Sequence, residues 1–175
     1  SLVAFPLCYI IMNFTIKNQL VFQIVEGNQN EQQFLSLFLI EIFATLVLFI
    51  VGTYFTSIYI KNMKEQDPKE VVIDEVVGQM LVVILSSFSV IFLYSSAVPQ
   101  KIDEIYTDFI FLFLVPFVLF RVFDIFKPWP INWFDSNVKG AFGVMIDDVV
   151  AAFFATVTQY VIVFTIIGFF PLQYN

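Results

Sequence analysis

Long, unbroken runs of apolar residues constrain this chain more than any other feature of its sequence. Five such segments can be separated, namely Leu2 to Ile16, Phe34 to Ile60, Val76 to Val98, Phe109 to Phe120 and Val149 to Phe170. A bilayer offers the backbone no hydrogen-bond partners, so apolar runs of this length are expected to be helices. The sequence therefore predicts an all-α integral membrane protein with about five apolar helices, of which four or five span the membrane.

The composition agrees with a membrane environment and excludes several chemistries. Hydrophobic residues make up 59% of the chain and charged residues 13%, whereas soluble domains carry roughly 25% charge. The sequence has no histidine, and Cys8 is its one cysteine, which excludes imidazole catalysis, disulfide bonds and the usual zinc sites. The net charge of −7 argues against nucleic acid as a partner.

The positions of the eight Lys and Arg residues predict the orientation of the chain. Six lie in the loops after the second and fourth segments, and two lie elsewhere. The six are Lys61, Lys64, Lys69, Arg121, Lys127 and Lys139, and the other two are Lys17 and Lys101. Five alternating spans put the six on one side, which the positive-inside rule makes cytoplasmic. The N-terminus is then expected in the cytoplasm and Asn175 on the opposite side.

Three groups of carboxylates are expected at helix ends on that same face. Asp74 and Glu75 precede the third segment, and Asp124 follows the fourth. Asp147 and Asp148 precede the fifth segment. Each group alone can be explained as helix capping. Two carboxylates about 4 Å apart repel by roughly 4 kcal/mol at an effective dielectric near 20, so a cluster needs protons or a cation. Oxygen ligands without His or Cys select a hard ion, and Mg²⁺ is the default.

The segment from Arg121 to Asp135, which reads RVFDIFKPWPINWFD, is the second candidate for chemistry. Its prolines cannot continue a helix, and its tryptophans fit the aromatic belt at the lipid headgroups. Arg121 and Lys127 are placed to bind an anion there, and an ordinary interface loop is the alternative. Glycines between Lys139 and Gly143 allow close backbone approach. We expect Asp135 to lie at the periphery.

Three motifs resemble those of the phosphatidylglycerophosphatase A family, in the same order and spacing. They are Asp74 to Gly78 (DEVVG), Phe120 to Asp135, and Gly143 to Asp148 (GVMIDD). The resemblance covers essentially the whole chain, residues 1–175, as a single domain. The opening Ser1 to Leu7 resembles the end of the family's N-terminal glycine- and proline-rich motif. We expect the rest of that motif to be missing upstream.

The resemblance implies a Mg²⁺-dependent phosphatase that converts phosphatidylglycerol phosphate to phosphatidylglycerol and inorganic phosphate during phospholipid synthesis. It also implies a bacterial inner-membrane protein whose site faces the cytoplasm. The expected metal ligands are Asp74, Glu75, Asp147 and Asp148. The expected phosphate-binding residues are Arg121, Lys127 and Lys139, and the expected catalytic residues are Asp124, Arg121 and Lys127. Whether Asp124 is a base, a nucleophile or a metal ligand stays open.

The alternative function is a cation-binding channel or transporter without enzymatic activity. Such proteins hold their ion-binding groups near the middle of the bilayer, where Glu41 is the candidate. An intramembrane carboxylate is by default a candidate for function. Because Glu41 belongs to none of the three motifs, we expect it to be structural. Thr45 is near enough in the sequence to hydrogen-bond its carboxyl group when that group is protonated. The enzyme is favoured because the other carboxylates fall at helix ends.

Overall fold

A computed structural model describes residues 2–17, 29–61, 71–94 and 104–169. Within these ranges the protein is helical and has no strand. The helices are α1 (Ala4–Lys17), α2 (Gln29–Lys61), α3 (Ile73–Tyr94), α4 (Glu104–Asp108), a π-helical segment (Phe109–Leu114), α5 (Val115–Phe126), α6 (Ile131–Asn137) and α7 (Gly140–Phe169). Lys64, Lys69 and Lys101, which contributed to the predicted orientation, lie outside the described residues.

Four helices are long and apolar enough to cross a membrane, which confirms the all-α membrane architecture. They are Gln32–Lys61, Ile73–Tyr94, Tyr106–Phe126 and Gly140–Phe169, whereas α1 is apolar but shorter. Two of these helices, α3 and Tyr106–Phe126, separate the α2–α3 loop from the α5–α7 loop. The end of α2 and the start of α3 therefore lie at the same end of the helical bundle as the segment between α5 and α7, whether or not α1 crosses.

The start of α7 differs from the prediction, and the difference affects two site residues. The apolar run begins at Val149, but α7 begins at Gly140, about two turns earlier. Asp147 and Asp148 thus lie inside the helix, beyond the first turn where a side chain can cap free backbone N–H groups. Capping does not explain these two residues.

The helices α3 and α7 run parallel and pack closely at the level of the carboxylates. Gly78 on α3 permits this approach, since a Cβ atom there would lie 2.6 Å from the Phe120 ring of α5 and 3.1 Å from the carbonyl oxygen of Asp148. Phe120 is completely buried. Three helices therefore meet around Gly78, which brings the three sequence motifs together.

Deeper in the bundle, a side-chain hydrogen bond connects α7 to the π-helical segment, and Pro116 explains why that bond is needed. In the π-helical segment the backbone N–H of Val115 bonds to the carbonyl of Ile110, so the carbonyl of Phe111 would need a donor at position 116. Proline has no N–H. Gln159 of α7 supplies the donor instead, with its Nε2 2.8 Å from the Phe111 oxygen. The sequence predicted the interruption at Pro116 but not this partner.

Candidate active site

Lys127 contacts two carboxylates that follow it in the sequence by 8 and 20 positions. Its Nζ atom lies 2.6 Å from Oδ1 of Asp135 and 2.6 Å from Oδ2 of Asp147. Burial opposes the charged form of Lys127, but the hydrogen bonds to the two carboxylates outweigh burial and raise the pKa of the ammonium group. Lys127 therefore remains a cation at any physiological pH.

The backbone of Lys127 is what turns this side chain toward α7. Lys127 ends α5 with a left-handed conformation, φ +39° and ψ +58°, and its N–H bonds to the carbonyl of Phe123. A residue with a side chain rarely adopts positive φ, and such residues cluster at functional sites. This left-handed residue ends α5 and changes the direction of the chain before α6 begins.

The short helix α6 is held in place at both ends, and this fixes Asp135. Ile131 at its start is completely buried in the cluster formed with Phe120 and the α7 alanines, and Asp135 follows at the i+4 position on the same face. Beyond α6, the carbonyl oxygen of Val138 lies where a Cβ of Gly143 would be 2.0 Å away. Only glycine fits at position 143 without movement of the backbone.

A second cation, Arg121, connects α5 to α3. Its Nη1 atom is 3.0 Å from Oε1 of Glu75 and 3.0 Å from Oδ2 of Asp124. Asp74 accepts a hydrogen bond from the backbone N–H of Glu75 at 2.8 Å, as expected for a carboxylate in the first turn of a helix. The first and second motifs thus form one network.

Asp148 is the least compensated carboxylate of the group. It is 4% exposed, and its Oδ2 atom has no hydrogen-bond partner among the described residues. The negative charges of Asp124, Asp74 and Asp147 all act on it. Oδ1 of Asp147 also lacks a partner within the described residues. A buried carboxylate oxygen without a hydrogen bond is unfavourable, so each of these two oxygens calls for a proton, a donor or a cation.

The structure brings together seven of the eight predicted site residues: Asp74, Glu75, Arg121, Asp124, Lys127, Asp147 and Asp148. The eighth, Lys139, is exposed at the edge of a cavity of about 80 Å³ that is also lined by Asp135 and Asp147. Asp135, expected at the periphery, is exposed but bonds directly to Lys127, a contact that the sequence did not predict. Its i+4 spacing from the buried Ile131 is the sequence signal that could have identified it.

The predicted Mg²⁺ ligands are close to one another but are not arranged as a finished metal site. In the described ranges, no three Asp, Glu or Cys side chains converge to hold a metal ion. Glu75 and Asp147 are instead paired with Arg121 and Lys127. The oxygen-only donor set and the orphan oxygens of Asp147 and Asp148 nevertheless suit a hard divalent cation.

Glu41 lies apart from this network. It is partly buried beside a cavity of about 320 Å³ whose lining is otherwise mostly apolar and includes Cys8 and Ser87. The hydroxyl of Thr45 donates to the backbone carbonyl of Glu41 at 2.8 Å. Helix geometry separates Glu41 from Lys61, at the end of α2 nearest the site, by roughly 30 Å.

Comparisons with known proteins point to one family. The family described as Phosphatidylglycerophosphatase A matches residues 1–163. A Haemophilus influenzae protein named Phosphatidylglycerophosphatase A is 34% identical over 130 residues, covering 73% of this chain and 68% of the relative. An Escherichia coli protein of the same name is 66% identical over 35 residues, 20% of each chain.

A further relative carries a different name. A Bacteroides thetaiotaomicron protein, provisionally named as a phosphatidylinositol-3-phosphatase, is 33% identical over 112 residues, covering 64% of this chain and 59% of the relative. No solved structure matches the chain. The names of these relatives all refer to a phosphorylated lipid, but the lipid headgroups that they name differ.

Proposed function

Because the chain belongs to the phosphatidylglycerophosphatase A family, we propose that it hydrolyses phosphatidylglycerol phosphate to phosphatidylglycerol and inorganic phosphate. The observation that carries this proposal is the pairing of Arg121 and Lys127 with a group of carboxylates at one end of the helical bundle. At that position a lipid can present its phosphate to the site while its acyl chains remain in the bilayer. The count of basic residues supports the cytoplasmic face of a bacterial inner membrane.

Arg121 and Lys127 are proposed to bind the phosphate oxygens. A guanidinium matches two phosphate oxygens at once, and an ammonium contributes a compact charge. Both stabilise negative charge as it develops during phosphoryl transfer. In the structure each cation forms ion pairs with carboxylates, so phosphate must replace some of these contacts. The exposed Lys139 is proposed to attract the headgroup at the edge of the site.

A divalent cation, with Mg²⁺ as the default, is proposed to complete the site. Its ligands would come from Asp74, Glu75, Asp147 and Asp148. The oxygens of Asp147 and Asp148 that have no hydrogen-bond partner among the described residues support this proposal, because they are free to bind a cation. When bound, such an ion polarises a phosphoryl oxygen and lowers the pKa of bound water.

Asp124 is proposed to act on the reacting groups directly. It forms an ion pair with Arg121 and acts electrostatically on Asp148, so it lies near both the proposed phosphate contacts and the proposed metal contacts. No observation favours the channel or transporter alternative. The cavity beside Glu41 is mostly apolar, and the described residues that line it include no second acidic side chain.

The proposed function is tested by measuring phosphate release from the purified full chain in mixed micelles. The substrates are phosphatidylglycerol phosphate, phosphatidylinositol 3-phosphate, phosphatidic acid and water-soluble glycerol phosphate, each with Mg²⁺ and with EDTA. We expect the highest kcat/KM for phosphatidylglycerol phosphate and no turnover in EDTA. A preference for another headgroup would contradict the proposed substrate, and undiminished release in EDTA would contradict the proposed metal.

A further inference from the structure

The two carboxylates that hold Lys127 differ in their access to water. Both lie 2.6 Å from its Nζ atom, but the side chain of Asp147 is 8% exposed and that of Asp135 is 38% exposed. One ammonium group is thus shared between a buried partner and a solvated one.

This difference decides which contact can be exchanged. Separating Lys127 from Asp147 would leave a buried charge unpaired, which is strongly unfavourable. Separating it from Asp135 leaves a carboxylate that water can solvate, and exposed ion pairs contribute little to stability. An anion that approaches Lys127 from solvent should therefore replace Asp135 and leave Asp147 in place.

The backbone also holds both Asp135 and Lys127 in place. The buried Ile131 and the close contact between Val138 and Gly143 hold α6 against α7. Asp135 therefore projects from a helix that is fixed at both ends, toward a lysine whose own backbone is held in a left-handed conformation. Both partners are oriented before any ligand binds.

We infer that Asp135 is a positioning residue, which holds the ammonium group of Lys127 beside Asp147 until a phosphate monoester takes its place. This inference rests on the proposed function, because phosphate is the anion that the proposed reaction brings to Lys127. Asp135 and phosphate then compete for the same N–H donors. The competition weakens the binding of phosphate and speeds the departure of inorganic phosphate after hydrolysis.

The test compares the wild-type chain with Asp135→Asn, Asp135→Glu and the control Ser136→Ala. Ser136 is an exposed neighbour on α6 whose hydroxyl bonds to Asn132 within that helix. Binding of inorganic phosphate is measured directly by calorimetry, and KM and kcat are measured with phosphatidylglycerol phosphate. Thermal unfolding of each variant checks that it is folded.

Asp135→Asn keeps the shape of the side chain but removes its charge. We expect inorganic phosphate to bind it about two- to fivefold more tightly, the range expected for loss of a partly exposed ion pair. KM should fall, and kcat should fall with it because product leaves more slowly. Asp135→Glu should restore wild-type phosphate affinity, and Ser136→Ala should match the wild type throughout.

Unchanged or weaker phosphate binding in Asp135→Asn would overturn the inference, since a purely structural role predicts no gain in affinity. A wild-type chain that binds no inorganic phosphate would overturn it as well. Failure of the proposed function is distinguishable: a wild-type chain that binds phosphate but releases none from the lipid contradicts the substrate, and the binding comparison still decides the role of Asp135.

Discussion

The guanidinium of Arg121 lies 3.0 Å from the carboxylate of Glu75, and this contact ties α5 to α3 across the site. Both side chains are about one-third exposed, at 31% and 32%, so solvent screens the pair and its contribution to stability is about 0–1 kcal/mol. The contact is therefore more important for where it holds the guanidinium than for the stability of the fold. Arg121 is kept beside Asp124 and Asp148, at the place proposed for the phosphate.

The first prediction is that Arg121→Lys lowers kcat/KM by at least about tenfold while the thermal unfolding temperature changes little. Lysine retains the charge but cannot contact two oxygens with a planar group, and losing such a contact costs about 1.5–3 kcal/mol. The measurement is phosphate release from phosphatidylglycerol phosphate. Lys61→Ala, which removes an exposed cation at the same end of the bundle, should retain activity. Equal losses in the two variants would indicate a general effect of surface charge.

The second prediction is that Asp148→Asn lowers turnover by at least about a hundredfold, roughly 2.7 kcal/mol of transition-state stabilisation, without loss of stability. The substitution replaces a buried carboxyl group whose Oδ2 atom has no partner among the described residues, so the fold should be as stable as the wild type or more stable. Asp147→Asn should lower turnover similarly, with partial recovery at raised Mg²⁺.

The matched control for Asp148→Asn is Asp108→Asn. Asp108 is exposed, accepts a hydrogen bond from Tyr94 at 2.5 Å and lies at the opposite end of the bundle. Its amide variant should turn over lipid at the wild-type rate. Near-normal turnover in Asp148→Asn would mean that the orphan oxygen is structural, and the metal ligands would then have to be sought around Asp74, Glu75 and Asp124.

The third prediction is that Gly78→Ala destabilises the protein by about 1–3 kcal/mol, the usual cost of overpacking a close-packed interior, and lowers activity. The added methyl group would lie 2.6 Å from the Phe120 ring, which is buried and cannot move aside freely. Unfolding in detergent measures the stability. Gly168→Ala is the matched control, because a Cβ there meets nothing within 4 Å and alanine favours a helix. Equal effects at the two glycines would contradict the close contact.

The fourth prediction concerns orientation. In a chain with Cys8 replaced by serine, single cysteines at positions 65 and 137 should not react with a membrane-impermeant reagent in intact cells, and one at position 28 should react. The basic residues predict this result because they concentrate in the loops that contain positions 65 and 137. Asn137 is exposed in the structure, whereas positions 28 and 65 lie outside the described residues. The reverse pattern would place the site on the outer face.

The sequence alone determined the class of fold and the end of the bundle where the carboxylates gather. Apolar runs of this length must satisfy their backbone hydrogen bonds internally, so helices follow from hydropathy without any tertiary information. The grouping of the motifs follows equally, because two spans separate their loops. The start of α7 did not follow, since Asp147 and Asp148 interrupt the apolar run and the glycines at 140 and 143 are unfavourable in a helix. Gly140 nevertheless tolerates its φ of +77° at the helix start.

Only the tertiary structure decided which acid pairs with which base. Glu75 and Arg121 are far apart in the sequence, and the bond between Lys127 and Asp147 spans 20 positions. Such pairs depend on the rotation of each helix about its axis and on a left-handed residue at the end of α5. Helix rotation is set by close packing, here by Gly78 against Phe120 and by Ile131 in its cluster. Close packing depends on contacts between residues that are distant in the chain. Hydropathy and local spacing therefore do not predict helix rotation or the ion pairs that depend on it.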